Sequence, residues 1–113
     1  MWPPYPNIFA DGDLSELPEA RDEFALILAM EEAHEFPGYY PVIVIAQQGE
    51  DFRALLYQTL SVTQGQAPFE VTERPSRKGT YISYRIEIFV ESARSALDRK
   101  LVISSLEGVL YLL

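Results

Sequence analysis

The run Arg77-Lys78-Gly79-Thr80-Tyr81-Ile82-Ser83-Tyr84 invites a chemical reading, because lysine and glycine followed by aromatics open the RNA-reading strand of RNA-recognition domains. Lys78 and Gly79 match that signature. Thr80 stands where the first aromatic belongs, Tyr81 where a small residue does, and Ile82 where the second aromatic does. Ser83 replaces valine and Arg85 replaces the last aromatic, so the stacking platforms that single-stranded RNA requires are missing. Pro75, Ser76, Arg77, Lys78 and Gly79 read better as the tip of a hairpin, with Gly79 free to take a positive φ.

Other chemistries fare no better. Glu31-Glu32-Ala33-His34 contains one Glu-x-x-His unit, but di-iron bundles need two such units and further glutamates, and His34 is the only histidine. A triad of His34, Ser104 or Ser105 and an acid lacks the Gly-x-Ser-x-Gly turn. Paired carboxylates abound near the N-terminus, but a solvated acidic helix does not separate their pKa values. Gly49 and Gly65 are isolated and form no phosphate cradle. Cysteine is absent, which excludes disulfides, thiolate metal sites and a cysteine nucleophile. The expectation is a protein with no catalytic residue, no metal and no cofactor.

The chain of 113 residues is long enough to bury a core without staples, and its net charge is −8. That charge is uneven. Residues 1–37 hold nine acids against Arg21 alone, whereas the remainder holds eight acids and eight bases. Phosphate binding needs a positive footprint, so nucleic acid is not an expected partner. No apolar run approaches the length of a membrane span and no signal peptide opens the chain, so neither membrane association nor export is expected; the default is a cytoplasmic protein.

The elements that must position any site follow from periodicity. Three prolines within Met1–Pro6 keep the start extended or irregular, and the composition leaves open whether Trp2, Tyr5 and Phe9 pack onto the domain. Pro18 to Phe36 reads as an acidic helix with Phe24, Ile27, Leu28 and Met30 as its apolar stripe, although Phe24, Leu26, Leu28 and Met30 also alternate like a strand. Tyr39 to Ala46 is a continuous β-branched run, as in a central strand. Residues 50–62 place Phe52, Leu55, Leu56 and Leu60 on one helical face, and Phe69 to Glu73 alternate as a half-buried strand. The next strand alternates most clearly: Ile82, Tyr84, Ile86, Ile88 and Val90 on one face, Tyr81, Ser83, Arg85, Glu87 and Phe89 on the other. Ser92 is the expected N-cap of a helix reaching about Ser104, with Ala93, Ala96, Leu97 and Leu101 inward, and residues 108–113 close as a strand.

The order from Tyr39 is therefore β-α-β-β-α-β. This predicts an α+β ferredoxin-like sandwich, residues 37–113, preceded by an arm and acidic helix, residues 1–36. Two helices cover one face of a four-stranded antiparallel sheet. Val42-Ile43-Val44-Ile45 is too apolar to leave half its side chains in water, so the N-terminal segment or a second subunit is expected over the other face.

Residues Pro75, Ser76, Lys78, Gly79, Tyr81 and Ser83 also resemble the Pro-Ser-x-Lys-Gly-x-Tyr-x-Ser stretch of the YbeD-like family, small bacterial domains of unknown function. Glu35-Phe36-Pro37 resembles that family's approach to its first strand, and the likeness spans roughly residues 35–113; the longer N-terminal segment is a departure. The resemblance implies a ferredoxin-like sandwich related in shape to ACT regulatory domains, with no known catalytic activity.

Two functions follow as expectations. The first is a non-enzymatic regulatory or adaptor domain that binds a protein partner, or itself as a homodimer. It would use the face of Tyr81, Ser83, Arg85, Glu87 and Phe89, or the hairpin tip. The second is an ACT-like sensor holding a small amino-acid-type metabolite at the loop Gln47, Gln48, Gly49, Glu50 and Asp51. Glu50 and Asp51 already occupy that helix start, which disfavours an anion there.

Overall fold

The β-branched run forms the second strand from one edge of a single sheet. In the computed structural model, which describes residues 19–113 (of residues 19–22, the backbone alone), the order is α1 Glu19–Ala33, β1 Gly38–Gln47, α2 Glu50–Gln64, β2 Phe69–Pro75, β3 Tyr81–Val90, α3 Ala93–Ser104 and β4 Val109–Leu112. The proline-rich arm with Trp2, Tyr5 and Phe9, and Pro18, lie outside the described residues. The strands are antiparallel in the order β2-β3-β1-β4, the ferredoxin-like arrangement that the sequence predicts. β1 and β3 pair along their whole length, from Gly38 opposite Val90 to Gln47 opposite Tyr81.

Strand alternation sorts the side chains into two layers. Tyr40, Val42, Val44 and Ala46 of β1 and Ile82, Tyr84, Ile86, Ile88 and Val90 of β3 point to one side and are buried. At about 1.5–3 kcal/mol for each large side chain taken out of water, this layer dominates the stability of the fold. Leu56 and Leu60 of α2, Ala93, Ala96 and Ile103 of α3, and Met30 of α1 close over it.

Four inward assignments are corrected. Leu55 is 37% exposed, Leu101 is 58% exposed, and Phe24 and Leu28 are also exposed. Each lies outside the edge of its helix's buried arc by about 40–100°, at 100° per residue. In α3 that arc is Ala93, Ala96, Leu97 and Ile103; in α1 it passes through Leu26, Ile27 and Met30. An apolar residue one position off the arc looks identical in a sequence. Helix α1 also ends at Ala33, three residues short of Phe36, with the amide of His34 still bonded to the carbonyl of Met30 at 2.9 Å. The residue before a proline avoids the helical region, and Phe36 precedes Pro37.

Ser92 caps α3 as expected: its backbone is extended and its Oγ accepts from the amide of Ser95 at 3.1 Å. Gly108, with φ 107°, then turns the chain into β4. A bulge between Ile45 and Ala46 shifts the β1–β4 register, and β4 covers only the later half of β1.

The expected cover over the second sheet face does not come from α1. That helix packs on α3 and contributes Met30 to the helix-side core; Leu26 and Met30 meet Tyr40, Leu97, Leu101 and Leu112 around a 320 Å³ apolar cavity on that same side. Among the described residues, all three helices lie on one side of the sheet. Ile43 and Ile45 are instead half-buried by their cross-strand neighbours Arg85, Ser83 and Tyr111.

Candidate functional site

The face left free by the helices carries the outward residues of all four strands. β3 supplies Tyr81, Ser83, Arg85, Glu87 and Phe89, so the structure places the five residues singled out in the sequence on one surface. β1 adds Tyr39, Pro41, Ile43 and Ile45 opposite them, β2 adds Glu70, Thr72 and Arg74, and β4 adds Tyr111. Tyr39, Tyr81 and Tyr111 are 43%, 45% and 61% exposed, which makes this an aromatic surface rather than a solvated polar one. The ring of Tyr39 stands edge-on to Phe89 with centroids 5.4 Å apart.

The charges on this face are only loosely engaged. Arg85 Nε lies 3.3 Å from Glu87 Oε2, yet that buried oxygen has no donor directed at it. Arg85 itself is exposed, and a pair in such surroundings contributes little to stability. Glu70 faces Glu87 directly across the β2–β3 ladder. Aromatic rings with an arginine among polar residues form the composition enriched at the centres of protein interfaces.

The hairpin tip is a turn. Ser76 both donates its amide to the carbonyl of Tyr81 at 2.8 Å and accepts the Tyr81 amide on its Oγ at 3.0 Å. Gly79 has φ 75° and donates to the carbonyl of Ser76 at 2.9 Å. Pro75, Ser76, Arg77, Lys78 and Gly79 are all exposed. Ile45, Arg74, Pro75, Ser76, Tyr81 and Ser83 line a shallow 250 Å³ groove where this tip meets the open face.

The loop Gln47, Gln48, Gly49, Glu50 and Asp51 sits at the same end of the sheet. Gln47 is opposite Tyr81, and the amide of Gln48 donates to the carbonyl of Thr80 at 2.9 Å. All five loop residues are exposed, Gly49 provides no side-chain cap, and Glu50 and Asp51 fill the first turn of α2. The structure thus brings the loop, the tip and one end of the aromatic face together, a juxtaposition invisible in the linear sequence.

Two polar clusters escaped sequence reasoning. On the helix side of β2, Glu73 accepts from Tyr57 at 2.6 Å and from Arg53 Nε at 2.9 Å, and the Arg53 guanidinium lies 4.7 Å above the Tyr57 ring. Burial, then the bond to Glu73, raises the Tyr57 phenol above its ordinary pKa. The neighbouring Tyr84 is fully buried, its hydroxyl has no hydrogen-bond partner, and burial followed by the charge of Glu73 raises its pKa as well. Alternation places Glu73 on the face of Phe69 and Val71, but its partners come from α2, which no local pattern could show. Gln64 is buried and bridges three elements through its amide.

His34, from the Glu-x-x-His unit, packs edge-on against Tyr40 at 4.8 Å between ring centroids. Among the described residues no group of three or more histidines, cysteines or carboxylates could hold a metal, and no helix is long and apolar enough to cross a membrane.

Residues 31–113 match the family model described as "Protein of unknown function (DUF493)". No curated protein matches the sequence. The solution structure of protein HP0495 from H. pylori superposes with a TM-score of 0.61 at 20% identity, covering 71% of this chain and 85% of that one. At that identity the likeness shows the fold alone.

Proposed function

The chain belongs to the DUF493 family of proteins of unknown function, as its YbeD-like hairpin motif implied, and on that premise we propose that it is a non-enzymatic regulatory or adaptor domain binding a protein partner through its open sheet face. One observation carries this reading: three exposed tyrosines and Arg85 share a face over which, among the described residues, no helix lies. Rigid aromatic side chains lose little entropy on binding, and arginine and tyrosine dominate interface hot spots. The chain's net negative charge weighs against nucleic acid as the occupant.

The test is capture of partners from a cytoplasmic lysate by the wild-type chain, Tyr81→Ala and Arg85→Glu. Both substitutions lie on the solvent side of β3 and leave the melting temperature within a few degrees. The captured partner should be lost with each; undiminished capture by both variants removes the open face from consideration.

A second reading is a small-metabolite sensor at Gln47–Asp51. Its support is that Gly49 gives α2 no side-chain cap. A panel of amino acids and organic acids would raise the melting temperature in proportion to binding; a flat response across the panel ends this reading.

A further inference from the structure

Strand β2 is an edge, and its charges are arranged as if for a copy of itself. Among the described residues, only β3 pairs with it. Hydrogen bonds from the Phe89 amide to the Pro68 carbonyl and from the Ser76 amide to the Tyr81 carbonyl set the alternation of the ladder. The backbone groups of Glu70, Thr72 and Arg74 therefore point to β3, and those of Phe69, Val71, Glu73 and Pro75 point away from the sheet.

The side chains tell the same story from the open face. Glu70 has a like charge, Glu87, directly opposite it, a destabilising arrangement in a cross-strand pair. Arg74 stands opposite Ser83, and neither Glu70 nor Arg74 forms an ion pair among the described residues. Charges on an edge strand ordinarily repel an incoming strand. Here, however, acid and base lie at equal distances on either side of Thr72. A two-fold rotation about Thr72 exchanges them.

We propose that two copies of this chain associate through β2, antiparallel, with Thr72 facing Thr72 of the second copy. In that register Val71 and Glu73 of each copy exchange backbone hydrogen bonds, and Arg74 of each meets Glu70 of the other. The registers centred on Val71 or on Glu73 leave Glu70 and Arg74 without each other, and the latter brings the two Glu73 side chains face to face. The rotation keeps both helix layers on one side, so the sheet becomes continuous across the dimer and the two open faces adjoin. This association is independent of what the open face binds, and a failed partner capture leaves it untouched.

The experiment is sedimentation equilibrium on the full chain, with amide exchange at high and low concentration. The wild type should reach twice 12.9 kDa, with the Val71 and Glu73 amides protected only in the concentrated sample. Arg74→Glu and Glu70→Arg, which each place like charges opposite one another twice, should weaken the dimer about tenfold or more. The double variant Glu70→Arg/Arg74→Glu restores complementary pairs and should recover the wild-type mass. A wild type monomeric throughout a millimolar concentration series overturns the proposal. So does a dimer whose dissociation constant ignores both single reversals, or single-variant losses that the double variant does not rescue.

Discussion

The amide of Gln64, in the last turn of α2, donates to the carbonyl of Phe89 on β3 at 2.9 Å, twenty-five residues along the chain. The same nitrogen reaches the carbonyl of Pro68 at 3.3 Å, and Oε1 accepts from Arg99 of α3 at 3.0 Å. One buried side chain thus joins the end of α2, the start of β2, the end of β3 and the middle of α3. Gln64→Leu keeps similar bulk but leaves two carbonyls and a guanidinium without these bonds, at a cost of about 2–3 kcal/mol. Urea denaturation would measure it, and a loss below about 1 kcal/mol means that water replaces the bridge.

Burial along α3 predicts a contrast between two residues of similar apolar character. Ile103→Ala empties a site that is 1% exposed and should cost about 2–4 kcal/mol. Leu101→Ala, at a side chain 58% exposed, should cost under about 1 kcal/mol. Equal losses in the two variants would show that the helix is rotated from this orientation.

Two glycines differ in what a methyl group would meet. At Gly108, with φ 107°, an added Cβ falls 2.7 Å from Phe52 Cδ1, so Gly108→Ala combines backbone strain with a clash and should destabilise by about 1–3 kcal/mol. At Gly49 the backbone is extended, with φ 171°, and nothing lies within 4 Å of the added atom. Gly49→Ala should be neutral to slightly stabilising through the unfolded chain. Thermal melts of the pair decide the point: a Gly108→Ala protein as stable as the wild type contradicts the turn into β4.

Burial holds the His34 imidazole below its ordinary pKa of 6.5, with the charge of Glu87 pulling the other way. The unfolded chain therefore binds the proton more readily than the native one. Stability from this group is complete above the unfolded pKa and declines as pH falls through 6.5 toward the lower native value. His34→Gln should flatten the decline in stability between about pH 7.5 and pH 5.5, where histidine is the side chain that ordinarily titrates. Identical slopes for the variant and wild type would assign the decline to other groups.

Periodicity, with propensity and turn chemistry, determined most of the elements of this protein. Unbroken β-branched residues from Val42 to Ile45, bounded by Gly38 and Gly49, favour a strand inside a sheet, and the strict alternation from Tyr81 to Val90 separates core from surface before any partner strand is known. Ser92 and the Pro75–Gly79 turn were legible for the same reason: their physics is complete within a few residues of chain. The family, too, was carried by that local hairpin motif.

Only the tertiary structure decided where the helices lie and what they join. The inward arc of α3 runs through Ile103 rather than Leu101, because the sheet, not the helix, selects which apolar residue is covered. Packing of α1 on α3 removed it from the open face, and the partners of Glu73 and Gln64 come from elements distant in sequence. The edge of β2 that is unpaired among the described residues, with Glu70 and Arg74 set about Thr72, is a property of strand order. Contacts between remote segments depend on how layers stack, and no window of residues contains that information.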